Sequence, residues 1–93
     1  MSPVLISGPE LEKQVLKTVK EGDLSTALFL EQGLDRPLRL HDELEPLAAI
    51  ALLRGNDEDF RWIVETRGVN FFNEEGARKH LDRCFGENFN PNP

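Results

Sequence analysis

Two glycine turns that recur at a fixed spacing limit the folds open to this chain. Gly22-Asp23 and Gly55-Asn56 lie about 33 residues apart, a period typical of repeat proteins, and each turn follows an apolar stretch with helical periodicity. We call this offset the repeat length. The same shift superposes seven pairs of apolar residues: Leu11/Leu44, Val15/Ala48, Leu16/Ala49, Val19/Leu52, Ala27/Phe60, Phe29/Trp62 and Leu30/Ile63. The repeating unit is a helix, a glycine turn, a second helix and an extended segment. Each copy leaves an apolar face that only a neighbouring copy can cover.

Capping signals and apolar periodicity predict five short helices, covering residues 9–21, 24–31, 46–53, 57–67 and 74–85. Ser7 is the predicted cap of the first helix, and Asn73 caps the last one. Residues 34–45 contain Pro37 and are predicted as an extended segment, with Asp42 and Glu45 starting the third helix. That helix is apolar on all sides, which predicts that it is buried.

The motifs around these helices resemble those of ankyrin-repeat proteins. Residues 55–65, GNDEDFRWIVE, resemble the second helix of an ankyrin unit, usually G-H-L-E-I-V-K-L-L-L-E. Glu45-Pro46-Leu47 resembles the T-P-L helix start, although Ala48 stands where histidine is usual. Residues 67–71 resemble the G-A-D-V turn, and Asn73 to Gly76 resembles the D-x-x-G tip. The resemblance implies an all-α stack of helix-turn-helix units with projecting loops.

The corresponding division treats residues 1–93 as one domain. It consists of a lead (1–8), two repeat-like units (9–43 and 44–72), a half unit (73–86) and a flexible tail (87–93). The missing histidine and threonine of the ankyrin pattern leave a different five-helix arrangement open.

Composition excludes several classes of protein. The formal net charge of −6 is a poor match for duplex DNA, so direct nucleic-acid binding is not expected. No apolar run approaches the roughly 18 residues of a membrane span. The single cysteine, Cys84, favours a reducing compartment, so we expect a cytoplasmic or otherwise intracellular protein without membrane contact.

The sequence contains no set of residues that indicates catalysis. Asp57, Glu58 and Asp59 are consecutive, point in three directions and suit a helix N-terminus. His80 and Cys84 are spaced to supply two zinc ligands, but His41 and Asp42 could complete the site only if the extended segment folds onto the fifth helix. We therefore predict a non-enzymatic protein with no metal and no cofactor.

The aromatic residues divide into two groups. Phe29, Phe60 and Trp62 lie within helices and are predicted to be in the core. Phe71 and Phe72 are consecutive in a short extended segment. Either one of them is exposed, or one caps the core while the other covers the fifth helix.

The ankyrin resemblance implies a protein–protein interaction module, a small adaptor or inhibitor that binds a protein partner through its loops and inner helix face. The predicted partner-binding residues are Arg36, Arg39, His41, Arg54, Phe72, Asn73 and Glu74. Two alternatives remain. One is an acidic inhibitor that mimics nucleic acid on another five-helix fold. The other is a homodimer through an open C-terminal end at Ala77, Leu81 and Phe85.

Overall fold

The computed structural model describes residues 8–71 and 73–91, and over these ranges it contains helices but no strand. The α-helices are α1 (Gly8–Glu21), α2 (Leu24–Glu31), α3 (Glu45–Arg54), α4 (Asp57–Arg67) and α5 (Glu74–Phe85). A π-helical turn, Leu40–Leu44, leads directly into α3. The all-α prediction is confirmed, whereas the predicted cap at Ser7 lies outside the described residues.

The first two helix pairs have the same local geometry, one repeat length apart. Gly22 and Gly55 both adopt a left-handed backbone, with φ of 72° and 76°, which glycine tolerates because it has no Cβ. Asp23 and Asn56 follow as N-caps, and each accepts a hydrogen bond from the backbone N–H three residues further on, at 3.1 and 3.2 Å. The repeat in the sequence is therefore also a repeat of backbone geometry.

Helix α3 lies at the centre of the fold. It packs against α4 on one side and α5 on the other, and residues 46–51 are all buried. Ala48 belongs to a core cluster shared with α1, α2 and α4, whereas Ala49 and Ile50 belong to a second cluster shared with α5. The predicted burial of this apolar helix is confirmed.

The predicted extended segment at 34–45 is too long. The π-helical turn begins at Leu40, where the backbone N–H of Leu44 donates to the carbonyl of Arg39 at 2.9 Å. Helix α3 does begin at Glu45, with Pro46 in its first turn, but Asp42 lies in the π-helical turn and does not cap the helix. A physical reason is Pro46, which has no N–H to donate and whose ring crowds the carbonyl four residues earlier. The wider π-turn accommodates that crowding.

A bidentate ion pair holds the remaining extended residues against the π-helical turn. The two terminal nitrogens of Arg36 each lie 2.9 Å from a carboxylate oxygen of Glu43, which is 5% exposed. Arg36 also pairs with Glu12 of α1, and Glu43 accepts the backbone N–H of Arg39 at 2.6 Å. Hydrogen bonds between charged groups are stronger than neutral ones. These bonds therefore hold the extended segment to α1 through Glu12 and to the π-helical turn through Glu43.

A second pair anchors the same segment to α4. Arg67 donates to both carboxylate oxygens of Glu31, at 2.9 and 3.0 Å. Glu31 also accepts the backbone N–H of Leu38 at 2.7 Å. Leu38 is buried in the first core cluster. The end of α2, the extended segment and the end of α4 are therefore joined through one carboxylate.

The residues after α5 pack back onto the fold, where the sequence predicts a flexible tail. Pro91 is buried, and its carbonyl accepts a hydrogen bond from Nε of Arg54 at 2.6 Å. Arg54 also donates to the carbonyl of Glu21 at 2.9 Å. The ring of Phe89 lies 4.8 Å from that of Phe85. We refer to Arg36, Arg54 and Arg67 as the tied arginines, because each donates at least two hydrogen bonds of 3.0 Å or less within the chain.

The predicted dimer face at the C-terminal end is covered within the chain. Ala77 and Leu81 are fully buried against α3, and Phe85 is half-buried beside Phe89. The open end on which the predicted homodimer depends is therefore absent from the described structure, and a homodimer through these three residues would require α3 or the tail to leave.

Two of the three aromatic residues predicted for the core are exposed. Phe29 is 65% exposed and Trp62 is 37% exposed, whereas Phe60 is half-buried against the core. The two exposed rings occupy equivalent positions of α2 and α4, one repeat length apart. Arg67 lies over the Trp62 ring at 5.5 Å from its centroid. The match between Phe29 and Trp62 therefore reflects a shared exposed face of α2 and α4 rather than shared burial in the core.

Candidate binding cleft

An open cleft of about 760 Å³ lies between α1 and α5. Leu16 contributes from α1, and His41, Asp42 and Glu45 contribute from the π-helical turn and the start of α3. The loop at residues 70–71 and one face of α5 complete the lining. Clefts of this size accommodate a small molecule or several side chains of a partner protein.

The apolar part of the cleft is exposed enough to contact a partner. Leu16 is 43% exposed, although its spacing within α1 resembles that of the buried core residues. Phe71 and Phe85 are half-buried, and Nζ of Lys20 lies 5.4 Å from the centroid of Phe85. The ring of Phe71 stacks on His80 at 6.0 Å. The cleft therefore offers apolar contacts at its rim and on its walls.

A group of titratable side chains occupies one end of the cleft. Nδ1 of His41 lies 2.7 Å from Glu45, and Nε2 of His80 lies 3.9 Å from the same carboxylate oxygen. Sγ of Cys84 lies 3.3 Å from Nε2 of His80. Burial lowers the pKa of His80, an effect that Glu45 partly opposes. Burial, followed by the charges of Asp42 and Glu45, raises the pKa of Cys84.

These shifts make Cys84 a poor nucleophile. A reactive cysteine needs a low pKa, usually from a neighbouring cation, because the thiolate is the attacking form. Here burial lowers the pKa of His80 toward its neutral form and raises the pKa of Cys84 toward the thiol. Both shifts favour a neutral His80–Cys84 pair over the ion pair that activates a cysteine nucleophile.

The geometric condition for a zinc site is met only in part. The π-helical turn brings His41 and Asp42 to the same cleft as His80 and Cys84. In the described part of the chain, however, no three His, Cys, Asp or Glu side chains are arranged to hold a metal ion. We assign no metal ligand, and the lack of a metal stays a prediction.

Lysine and arginine side chains surround the apolar rim. Lys13, Lys17 and Lys20 line a shallow groove that shares Leu16 with the main cleft. Arg39 shares Leu16 with Lys13 in another such groove. Lys79 and Arg83 line the main cleft from α5. All six are exposed, and we refer to them as the cleft cations: Lys13, Lys17, Lys20, Arg39, Lys79 and Arg83.

Four of the predicted partner-binding residues lie away from the cleft or have bonds within the chain. Arg36 and Arg54 are tied arginines, and Asn73 is the N-cap of α5, accepting the backbone N–H of Gly76 at 2.8 Å. Glu74 is exposed in the first turn of α5 but does not line the cleft.

The other three predicted residues have different outcomes. His41 lines the cleft and is 80% exposed. Arg39 lies in the adjoining groove beside Leu16. Phe72 lies outside the described residues. In the consecutive pair Phe71 and Phe72, Phe71 is half-buried in contact with the core. The partner-binding role of Phe72 stays a prediction.

Sequence reasoning missed Leu16 and the lysines of α1. The signal was present, because Lys13, Leu16, Lys17 and Lys20 follow the spacing of one helix face. That face lies beside the buried stripe formed by Leu11, Val15 and Val19, so the spacing alone does not distinguish Leu16 from a core residue. Lys79 and Arg83 have the same four-residue spacing on α5.

Comparisons with family models, curated protein sequences and solved structures find no match to this chain. Within the ranges that the structure describes, every helix is too short or too polar to cross a membrane.

Proposed function

We propose that this chain is a non-enzymatic protein–protein interaction module, an adaptor or inhibitor that binds a protein partner in the cleft between α1 and α5. The observation that carries the proposal is the exposed Leu16 at the rim of a cleft walled by Phe71 and Phe85. Aromatic and aliphatic side chains within a charged surround are the usual energetic centre of a protein interface.

We propose further that the helices form an ankyrin-like stack. The inner positions recur at the repeat length through α1, the π-helical turn with α3, and α5: Leu11, Leu44 and Ala77, then Val15, Ala48 and Leu81. All six are buried. In such a stack the inner helices and the turns before them carry partner contacts, because the other faces are used for packing. The cleft is built from the corresponding elements, α1, the π-helical turn and α5.

A matched pair of substitutions tests the proposal. Leu16→Glu and Phe29→Glu each place a carboxylate at an exposed apolar residue, one in the cleft and one on α2. We expect a partner cross-linked to the wild-type chain in host lysate to be lost with Leu16→Glu and kept with Phe29→Glu. The loss should be at least about tenfold, since a central contact contributes about 2 kcal/mol or more.

The reverse pattern would place the interface on the α2 and α4 side, where Phe29 and Trp62 are exposed. Loss with both variants at unchanged circular dichroism would show that neither surface is specific. Either result contradicts a partner site in the cleft.

A further inference from the structure

The charge around the cleft is opposite in sign to that of the rest of the chain. The main cleft and the two grooves that share Leu16 contain six cationic and five acidic side chains, a formal charge of +1. Because the whole chain carries −6, the remaining residues carry −7. Cations are therefore concentrated on one face of an acidic protein.

Several of the acidic side chains in these grooves already have partners. Glu12 and Glu43 pair with Arg36, which lies behind them, and Glu45 pairs with His41. Asp42 and Glu21 are the other two and are exposed. Hydrogen bonds from Arg36 lower the pKa of Glu12, so that carboxylate is charged but compensated.

Most of the cleft cations lack such compensation. Lys79 pairs with Glu75 on the surface at 3.4 Å, and Arg39 lies 4.0 Å from Glu12. No ion pair within the described ranges involves the other four, Lys13, Lys17, Lys20 and Arg83. Their charges are available to an anionic partner.

We infer that the cleft binds an acidic amphipathic helical segment of another protein, with one apolar side chain of that segment placed between Leu16 and Phe85. The lysines of α1, from Lys13 to Lys20, extend about 10.5 Å along the helix axis, which corresponds to two turns of a docked helix. Apolar residues on one face of the partner would contact the rim, and its carboxylates would face the lysines and Arg83. This inference rests on the proposed function, since it names the partner of the same cleft.

A protein segment fits these observations better than an anionic membrane does. The apolar stripe of α1 is buried in the core, and Leu16 is the only residue of that helix that remains as an exposed large apolar side chain in the described structure. Interfacial helices instead insert a wide apolar face into the bilayer. The charge of −7 elsewhere on the surface also opposes approach to anionic lipid.

The test is a selection from a library of random peptides of about 12 residues, long enough for about 18 Å of helix. The baits are the intact chain, Lys17→Glu/Arg83→Glu, and Arg61→Glu/Arg78→Glu. The last variant makes the same charge change at exposed arginines that do not line the cleft. Leu16→Glu serves as a fourth bait, and the affinities of selected peptides are measured by fluorescence anisotropy.

We expect peptides rich in Asp and Glu around Leu, Phe or Met, with affinity reduced at least about tenfold by Lys17→Glu/Arg83→Glu. The Arg61→Glu/Arg78→Glu chain should bind them as well as the wild type. Affinity should also fall as salt rises from about 0.1 M to about 1 M, because the Debye length shortens from about 10 Å to about 3 Å.

Three results would overturn the inference. Peptides that require Leu16 but are not acidic would leave the proposed function standing and remove the acidic partner. Sedimentation with phosphatidylserine vesicles, or self-association of the wild type, that is lost in Lys17→Glu/Arg83→Glu would show that a membrane or a second copy occupies the cleft. If no selected peptide depends on Leu16, the proposed function fails as well.

Discussion

Arginine side chains have opposite roles in two regions of this molecule. Near the extended segment, Arg36 and Arg67 each form a bidentate pair with one glutamate and lie mostly out of solvent. At the cleft, Arg83 is exposed and has no ion-pair partner among the residues that the structure describes. The first arrangement fixes backbone, and the second leaves charge available for a partner.

Desolvation explains why the two roles are separate. A guanidinium that loses water needs hydrogen bonds within the protein. The terminal nitrogens of Arg36 and Arg67 have matched carboxylate acceptors, whereas the buried Nε of Arg36 has none among the described residues. An exposed arginine keeps its water and gains little from a surface ion pair. The tied arginines should therefore contribute to stability and the cleft cations should not.

The largest effect is expected from Arg36→Met. It leaves Glu43, which is buried, without the cation that compensates its charge. Loss of one partner of a buried pair costs about 3 kcal/mol or more. Urea unfolding followed by circular dichroism measures the change.

The matched control is Arg83→Met, which makes the same substitution at an exposed position. We expect it to change the free energy of unfolding by less than about 0.5 kcal/mol. Equal losses in the two variants would show that the distinction between tied arginines and cleft cations has no energetic basis.

The sequence predicts the local part of this distinction but not the pairing. Glycine turns and N-caps depend on nearby residues, so the helix positions and the buried α3 follow from the sequence. The Arg67–Glu31 pair joins residues 36 positions apart, and only the tertiary arrangement brings them together. For the same reason Arg36 was predicted to bind a partner, and its role in the fold was missed.

Lowering the pH should reduce the stability of the cleft and of the extended segment at different pH values. Hydrogen bonds from Arg67 lower the pKa of Glu31 below its ordinary 4.5. The unfolded chain therefore binds a proton there before the folded chain does, and this contribution to stability is lost as the pH falls below about 4.5. Burial lowers the pKa of His80 below 6.5, so its contribution is lost earlier, as the pH falls below about 6.5.

Urea midpoints measured from pH 7 to pH 3 test both losses of stability. The upper limb of the stability curve lies just below pH 6.5 and the lower limb below pH 4.5. The titratable groups facing His80 are Glu45, Cys84, His41 and Arg83, and both Glu45 and a hydrogen bond to the His41 backbone oppose the shift. His80→Asn should flatten the limb just below pH 6.5 and leave the limb below pH 4.5. Arg67→Met should flatten only the lower limb. A single variant that removes both limbs would contradict this assignment to separate regions.

The smallest expected effect is on the alkylation rate of Cys84, which depends on the electric field of the unpaired Arg83. Burial and the charge of Asp42 raise the pKa of Cys84, whereas Arg83 lowers it. Iodoacetamide reacts with the thiolate, so at pH 8 Arg83→Met should slow alkylation of the intact chain and Asp42→Asn should speed it, each by about twofold.

Arg78→Met, on the same helix but outside the cleft lining, is the control and should leave the rate unchanged. Arg36→Met should also leave this rate unchanged as long as the chain is folded, because Arg36 is not among the charges that shift the pKa of Cys84. Equal slowing by the Arg78 and Arg83 variants would mean that Arg83 acts only through the overall charge of the chain, and the cleft would then have no local cationic field to offer a partner.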